Sequence, residues 1–410
     1  MELETLQAAT SDRIWEELRL RVKHGRPRSV PIEEAIGCVL ASDARSAHDF
    51  PPFDRAAVDG YAVRSGDFAE TPARLKRIGQ LQPGESFSEA LEAGTCVEIS
   101  KGAPLPPECD AIVAGTDTHE SEGGLVEFPN QPAAGQNVDR RATLIQGGEL
   151  LLRAGTRING SALAALVAAG ITRAEVFARP RAALLSTSYE LVEHGRELQE
   201  GQIHDSNSTA LEEYIRQAGG EVVMFGRCPE TTSALRASLE LGLANDFLCV
   251  VGGMSRGSHD LVPELLADLG VEWLAVGTQL TPVNSLRIGR SNSGCWVVGL
   301  PGNPIGCAVG FFLFARVILD GLQGLPVGRP SHLIGSLDAD LPAGEALALY
   351  QPANWSVDEK GRLHVAPLLW RGSGDPFGMA IANALLYREG GAAVSPRGEA
   401  AHFIALELPR

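Results

Sequence analysis

The residues best suited to chemistry in this 410-residue sequence run from Asp246 to Asp260, where an apolar stretch stops at Gly252-Gly253 and leads into Ser255, Arg256, Gly257 and Asp260. Residues 247–252 carry no polar side chain, which suits a strand covered on both faces by helices. Glycines at its end let the backbone enter conformations closed to other residues and let a ligand approach main-chain N–H groups. Gly253, through its N–H, and Ser255, through its hydroxyl, are therefore expected to contact a phosphate. A second turn, Pro301-Gly302-Asn303-Pro304, follows the apolar run Cys295–Leu300. It either only starts a helix, since proline suits the first helical turn, or also aims N–H groups at the same crevice; the second reading is preferred. Asp260 and Asp205 share this ambiguity. A carboxylate at a helix start favours the helix end electrostatically or caps it, and Asp205 would do so together with Asn207; it can also face a ligand.

The elements that would position these residues alternate regularly. Strand Ala182–Leu185, helix Thr209–Gln217, strand Glu221–Phe225, helix Ser233–Leu241, the strand at Phe247, helix Leu261–Leu269, strands Val271–Val276 and Cys295–Leu300, and helix Ile305–Leu322 predict a doubly wound parallel sheet. Ligands in such sheets sit outside the carboxyl ends of the strands, where both turns fall. Earlier in the chain, Ser11–Lys23 reads as an amphipathic helix, Pro31–Leu40 as a short helix, and Ser161–Gly170 as a closely packed one. Residues 62–145 and 327–410 read as β-rich. The fold class is multidomain α/β and β.

Composition narrows the partners. Thirty-five Lys plus Arg against 51 Asp plus Glu give a net charge of −16, which opposes broad contact with nucleic acid or an anionic membrane. Lysine occurs only at Lys23, Lys76, Lys101 and Lys360, so each one beside a candidate site carries weight. Seven cysteines without a Cys-x-x-Cys pair point to reduced, buried thiols, and nine histidines show no ligand spacing. The apolar runs are expected to fall short of a membrane span, and a start without a secretory pattern makes the expected location cytoplasmic. No phosphate-loop or dinucleotide-binding glycine pattern is present.

Several motifs in order resemble the MoeA and gephyrin E-domain family, the molybdopterin molybdotransferases. They are Pro52-Phe53-Asp54-x-x-Ala57-x-Asp59-Gly60-Tyr61-Ala62-Val63, Gly102-Ala103-Pro104-x-Pro106, Gly135-x-Asn137-Val138, Ser186-Thr187-x-x-Glu190-Leu191, Gly201-Gln202-Ile203-x-Asp205-Ser206-Asn207, Gly252-Gly253-x-Ser255-x-Gly257, Gly299-Leu300-Pro301-Gly302-Asn303-Pro304, Gly372-Ser373-Gly374 and Ala382-Asn383. The resemblance implies a discontinuous N-terminal domain (1–44 and 146–178), an inserted β-rich domain (45–145), an α/β molybdopterin-binding domain (179–326) and a C-terminal β-domain (327–410). It further implies a homodimer whose site lies between the α/β domain of one chain and the inserted domain of the other. Adenylylated molybdopterin and molybdate would be the ligands, with Mg²⁺ required and AMP released. A molybdopterin adenylyltransferase and a molybdoenzyme client are the implied partners. Asp59, Glu190 and Asp260 would position Mg²⁺ and water. Lys101, Asp205, Gly252, Gly253, Ser255, Arg256, Pro301, Gly302, Asn303, Pro304 and Ser373 would hold the cofactor. Without the resemblance, Asp59 reads as a turn aspartate bonding to its own backbone.

Departures from the family pattern oppose this set. Lys101 replaces a threonine, Tyr189 falls where an acidic residue is usual, Leu144 replaces a carboxylate, and Thr281-Pro282-Val283-Asn284-Ser285 lacks two lysines. Losing two cations from an anion site should cost roughly 1.5–3 kcal/mol each, unless Arg55, Lys101 and Arg256 carry the relocated charge. The two functional expectations are thus a molybdopterin molybdotransferase, and a paralogue that keeps the fold as a cofactor carrier, maturation partner or scaffold.

Overall fold

The computed structural model describes residues 5–408 apart from 122, 189, 228–230, 255–260 and 370. The chain forms two compact units, one of Met1–Arg28 with Phe177–Arg410 and the other of Ser29–Val176.

The first unit is built on a seven-stranded sheet. Its strand order is Leu6–Ala9, Val271–Thr278, Arg287–Ser291, Trp296–Leu300, Phe247–Val251, Arg181–Ser186 and Glu221–Arg227. The central strand explains its own composition. Phe247, Cys249 and Val251 pack into one core with residues of helices Ser11–Arg21, Ser206–Gln217 and Arg316–Leu322, while Leu248 and Val250 pack into another with residues of Thr232–Leu243 and Val262–Asp268. Both faces are covered, so no polar position survives along the strand.

The sheet is mixed, not wholly parallel. Arg287–Ser291 runs antiparallel to both Val271–Thr278 and Trp296–Leu300. Val271–Thr278 is reached through helix Val262–Asp268, and the antiparallel Arg287–Ser291 then carries the chain on to Trp296–Leu300 without a further crossover helix. The edge strand Leu6–Ala9 pairs in parallel with Val271–Thr278, so residues 5–21 belong to this unit. The helical stretch Pro304–Leu322 includes a π-helical turn at Phe311–Ala315. Contrary to expectation, it is long and apolar enough by length and composition to cross a membrane; in this fold it is mostly buried. At the end of the chain, strands Leu333–Leu337, Ala348–Val357, Leu363–Pro367, Ala384–Arg388 and Ala400–Ala405 close on themselves through the Ala348–Val357 to Ala384–Arg388 pairing. Leu337, Val365, Leu386 and Phe403 fill the interior.

The second unit contains a six-stranded sheet ordered Ala111–Ala114, Gly60–Val63, Thr95–Ile99, Ala73–Leu81, Leu125–Phe128 and His119–Ser121. A separate core gathers Ile32, Cys38, Leu40, Ile158, Leu166 and Val176 beside helix Gly160–Ala168. The helix expected over Pro31–Leu40 is instead strand Pro27–Pro31 and one 3-10 turn, Ile32–Glu34. Gly37, at φ +76°, ends helical geometry after a single turn.

Candidate functional site

Strands Phe247–Val251 and Trp296–Leu300 run parallel and adjacent, so both turns leave the sheet at the same end. The ladder continues one step further, with the Gly252 N–H donating to Leu300 O at 3.1 Å. Gly252 and Gly253 then take φ of +78° and +60°. A Cβ on Gly252 would lie 2.8 Å from Ser188 Oγ, and one on Gly253 2.5 Å from Thr187 Oγ1. Conformation and space therefore both require glycine. The buried Thr187 holds this turn by donating its N–H and its hydroxyl to Val251 O, at 3.0 and 3.2 Å. Met254 folds back over the sheet so closely that a Cβ on Gly299 would meet its Cε at 1.9 Å.

The second turn faces the first. A Cβ on Gly302 would sit 3.7 Å from Gly252 Cα. Asn303 Oδ1 caps helix Pro304–Gly310 by accepting from Gly306 N at 2.7 Å. Asn207 Nδ2 donates to Gly302 O at 2.7 Å. Asn207 thus secures the opposite turn, whereas Asp205 alone caps its helix, Oδ1 accepting from Ser208 N at 3.0 Å. The other Asp205 oxygen is buried with no hydrogen-bond partner. Ser373 joins the same neighbourhood through its carbonyl, which accepts from Ile305 N at 3.0 Å. Glu190 lies exposed, its carbonyl accepting from Ile203 N. Gly252, Gly253, Pro301, Gly302, Asn303, Pro304 and Ser373 are therefore brought together, with Asp205 one helix away. Ser255, Arg256, Asp260 and Tyr189 lie outside the described residues.

Beside the glycine turn is a cavity of about 390 Å³ lined by Met254, Gly277, Thr278, Asn284, Ser285 and Arg287 among others. Arg287 Nε donates to Met254 O at 3.1 Å, and its guanidinium lies 5.7 Å from the centre of the Trp273 ring. Sequence reasoning passed over Arg287 because its strand is short and interrupted by Gly289. The signal for Asn207 was available: Asp205 and Asn207 cannot both cap one helix in the same way, so one of them is free to serve another element.

In the second unit, Asp59 Oδ1 accepts from the Lys101 N–H at 2.8 Å. Its partner is thus a loop 42 residues away, not its own turn. The Asp59 and Lys101 side chains are exposed. Arg55 is ion-paired with Asp139 at 3.3 Å and lies over the Phe50 ring, so it is not an uncommitted cation. Leu144 is 67% exposed. Among the described residues no three His, Cys, Asp or Glu side chains converge as metal ligands.

Comparison with known proteins agrees with this geometry. Residues 4–170 match the MoeA N-terminal region (domain I and II), and residues 183–320 match a probable molybdopterin binding domain. A molybdopterin molybdenumtransferase of Nostoc sp. is 34% identical over 306 residues, 73% of this chain and 70% of that protein. Molybdopterin molybdenumtransferase 2 of Mycobacterium tuberculosis is 32% identical over 330 residues, 77% and 80% of the two chains. The crystal structure of a molybdopterin biosynthesis MoeA protein from Pyrococcus horikoshii superposes with a TM-score of 0.81 at 30% identity, covering 98% of this chain and 100% of that one. With its motifs, its paired turns and relatives over most of its length in agreement, the chain belongs to the MoeA family.

Proposed function

We propose that the chain is a molybdopterin molybdenumtransferase of molybdenum cofactor biosynthesis, which takes adenylylated molybdopterin and molybdate and releases AMP. The observation that carries this reading is the pair of facing turns at Gly252-Gly253 and Pro301–Pro304, whose backbones approach with no side chain between Gly252 and Gly302. A phosphate-bearing ligand fits such a crevice, and the names of the relatives supply the pterin. Thr187 and Asn207 hold the two turns in place before the ligand arrives, so little ordering remains to be done on binding. Most of the rate enhancement would come from this orientation. Asp59, fixed by Lys101 N–H, would hold a water at the reacting centre.

Mg²⁺ belongs to the same reading, with Asp59, Glu190 and Asp260 as its ligands. Asp59 lies in the second unit, Glu190 in the first, and Asp260 outside the described residues. Homodimer assembly, cytoplasmic location, an adenylyltransferase that supplies the substrate and a molybdoenzyme that receives the product complete the proposal.

A second reading, a carrier that binds without transferring metal, is favoured by one observation. The segment Thr281–Ser285 contributes the uncharged Asn284 and Ser285 to the 390 Å³ cavity, leaving Arg287 as its cation among the described lining residues. Purified protein mixed with adenylylated molybdopterin, molybdate and Mg²⁺ separates the two. Release of AMP that is lost in Asp59→Ala supports the transferase; tight binding without release supports the carrier; no binding refutes both.

A further inference from the structure

The closed C-terminal sheet contains a group that the transferase reading leaves unused. Arg388, at the end of strand Ala384–Arg388, is only 7% exposed, and its Nη2 donates to Ala393 O at 3.2 Å. Among the described residues no carboxylate forms an ion pair with it. A guanidinium withdrawn from water without a counter-charge is costly, so its retention calls for a compensating function. Arg388 lines a groove of about 440 Å³ whose walls include Leu341, Leu347, Leu349, Leu368 and Leu369. Leu349 lies directly opposite Arg388 in the strand ladder. Gln351, two residues along the same face and 8% exposed, lines the groove as well. At the outer edge Leu369 is 88% exposed. An apolar trough thus leads from the surface to one buried cation.

We propose that this groove binds a small amphiphilic carboxylic acid, its carboxylate on Arg388 and Gln351 and its apolar tail along the leucines. The planar fork of an arginine matches a carboxylate in two parallel hydrogen bonds. Among the described residues the charged lining is Arg388 with the exposed Asp340, Glu345 and Glu389, so a dianionic phosphate is repelled more strongly than a monoanionic carboxylate.

The test uses the full chain and hexanoate as probe, with hexanol as the uncharged match, in a ligand-observed nuclear magnetic resonance titration. The expected result is one saturable hexanoate site per chain, with hexanol at least about tenfold weaker. Arg388→Gln should weaken hexanoate by roughly 10- to 100-fold while leaving hexanol little changed. Leu369→Asp lies at the exposed edge, so it tests the groove without disturbing the sheet interior; it should weaken hexanoate several-fold even if Arg388→Gln fails to fold. Absence of saturable hexanoate binding, equal binding of hexanol, or unchanged affinity in a folded Arg388→Gln or in Leu369→Asp would overturn the proposal and leave Arg388 as a plug that closes the sheet through Ala393 O.

Discussion

Replacing Gly302 by alanine separates folding from ligand binding at the two facing turns. The added Cβ would lie 3.7 Å from Gly252 Cα, an ordinary van der Waals distance, and Gly302 does not adopt positive φ. No strain is introduced into the chain. Alanine at a compatible glycine position stabilises by about 0.4–1 kcal/mol through the unfolded state, so the melting temperature should hold or rise slightly. The methyl group nevertheless fills the gap between Gly302 and the Gly252 backbone, so a phosphate drawn to the turn N–H groups must sit against it. Overpacking of that kind costs about 1–3 kcal/mol, which corresponds to affinity for adenylylated molybdopterin falling roughly 5- to 150-fold. Thermal melting and equilibrium titration of the same preparation are the assays. Unchanged affinity in a fully folded Gly302→Ala variant would refute the assignment of this crevice, and a collapse in melting temperature would refute the geometric argument behind it.

Three further outcomes follow from the same structure. Gly299→Ala should behave in the opposite way: its Cβ would meet Met254 Cε at 1.9 Å and Sδ at 2.9 Å, so the whole side chain must swing away. A loss of about 1–3 kcal/mol in denaturant unfolding is expected. His364 hydrogen-bonds to Asp338 and Asp358, and these bonds raise its pKa above the ordinary 6.5. Its stabilisation should be complete below that value and lost as pH rises through the raised one, so melting at pH 6 and 8.5 should differ more in the wild type than in His364→Gln. Burial pushes the thiols of Cys96, Cys109 and Cys295 up to about 12 and raises Cys249 and Cys307 as well. Residue-resolved alkylation at pH 8 should therefore leave all five unmodified in the native protein and label them after unfolding.

Much of the first unit was legible because its chemistry is local. Phe247–Val251 announced a doubly covered strand by composition alone, and the turns after it announced themselves by glycine and proline. Asp205 and Asn303 sit at helix starts in the sequence and cap those helices in the structure. What escaped depends on partners distant in the chain. Strand Leu6–Ala9 exists because Val271–Thr278 offers it an edge, and four residues carry too little periodicity to reveal that. Arg287–Ser291, with Gly289 at its centre, is stabilised by strands on both sides rather than by propensity. The apparent helix at Pro31–Leu40 failed for the same reason: Val39 and Leu40 bridge to Arg157 and Val176, and those pairings outweigh helical preference. In the second unit, Asp59 reads as an ordinary turn residue apart from the family resemblance, and only the fold brings Lys101 N–H onto its carboxylate.

The central claim is that the crevice between Gly252-Gly253 and Pro301–Pro304 holds the pterin phosphate. Its most direct test is titration of the purified wild-type chain with adenylylated molybdopterin, followed by hydrogen exchange of the main-chain amides with and without ligand. The account predicts saturable binding at one site per chain, with protection gained at Gly253, Gly302 and Asn303, since the Gly252 N–H already donates to Leu300 O. Binding that leaves these three amides unprotected, or no binding at all, would contradict it.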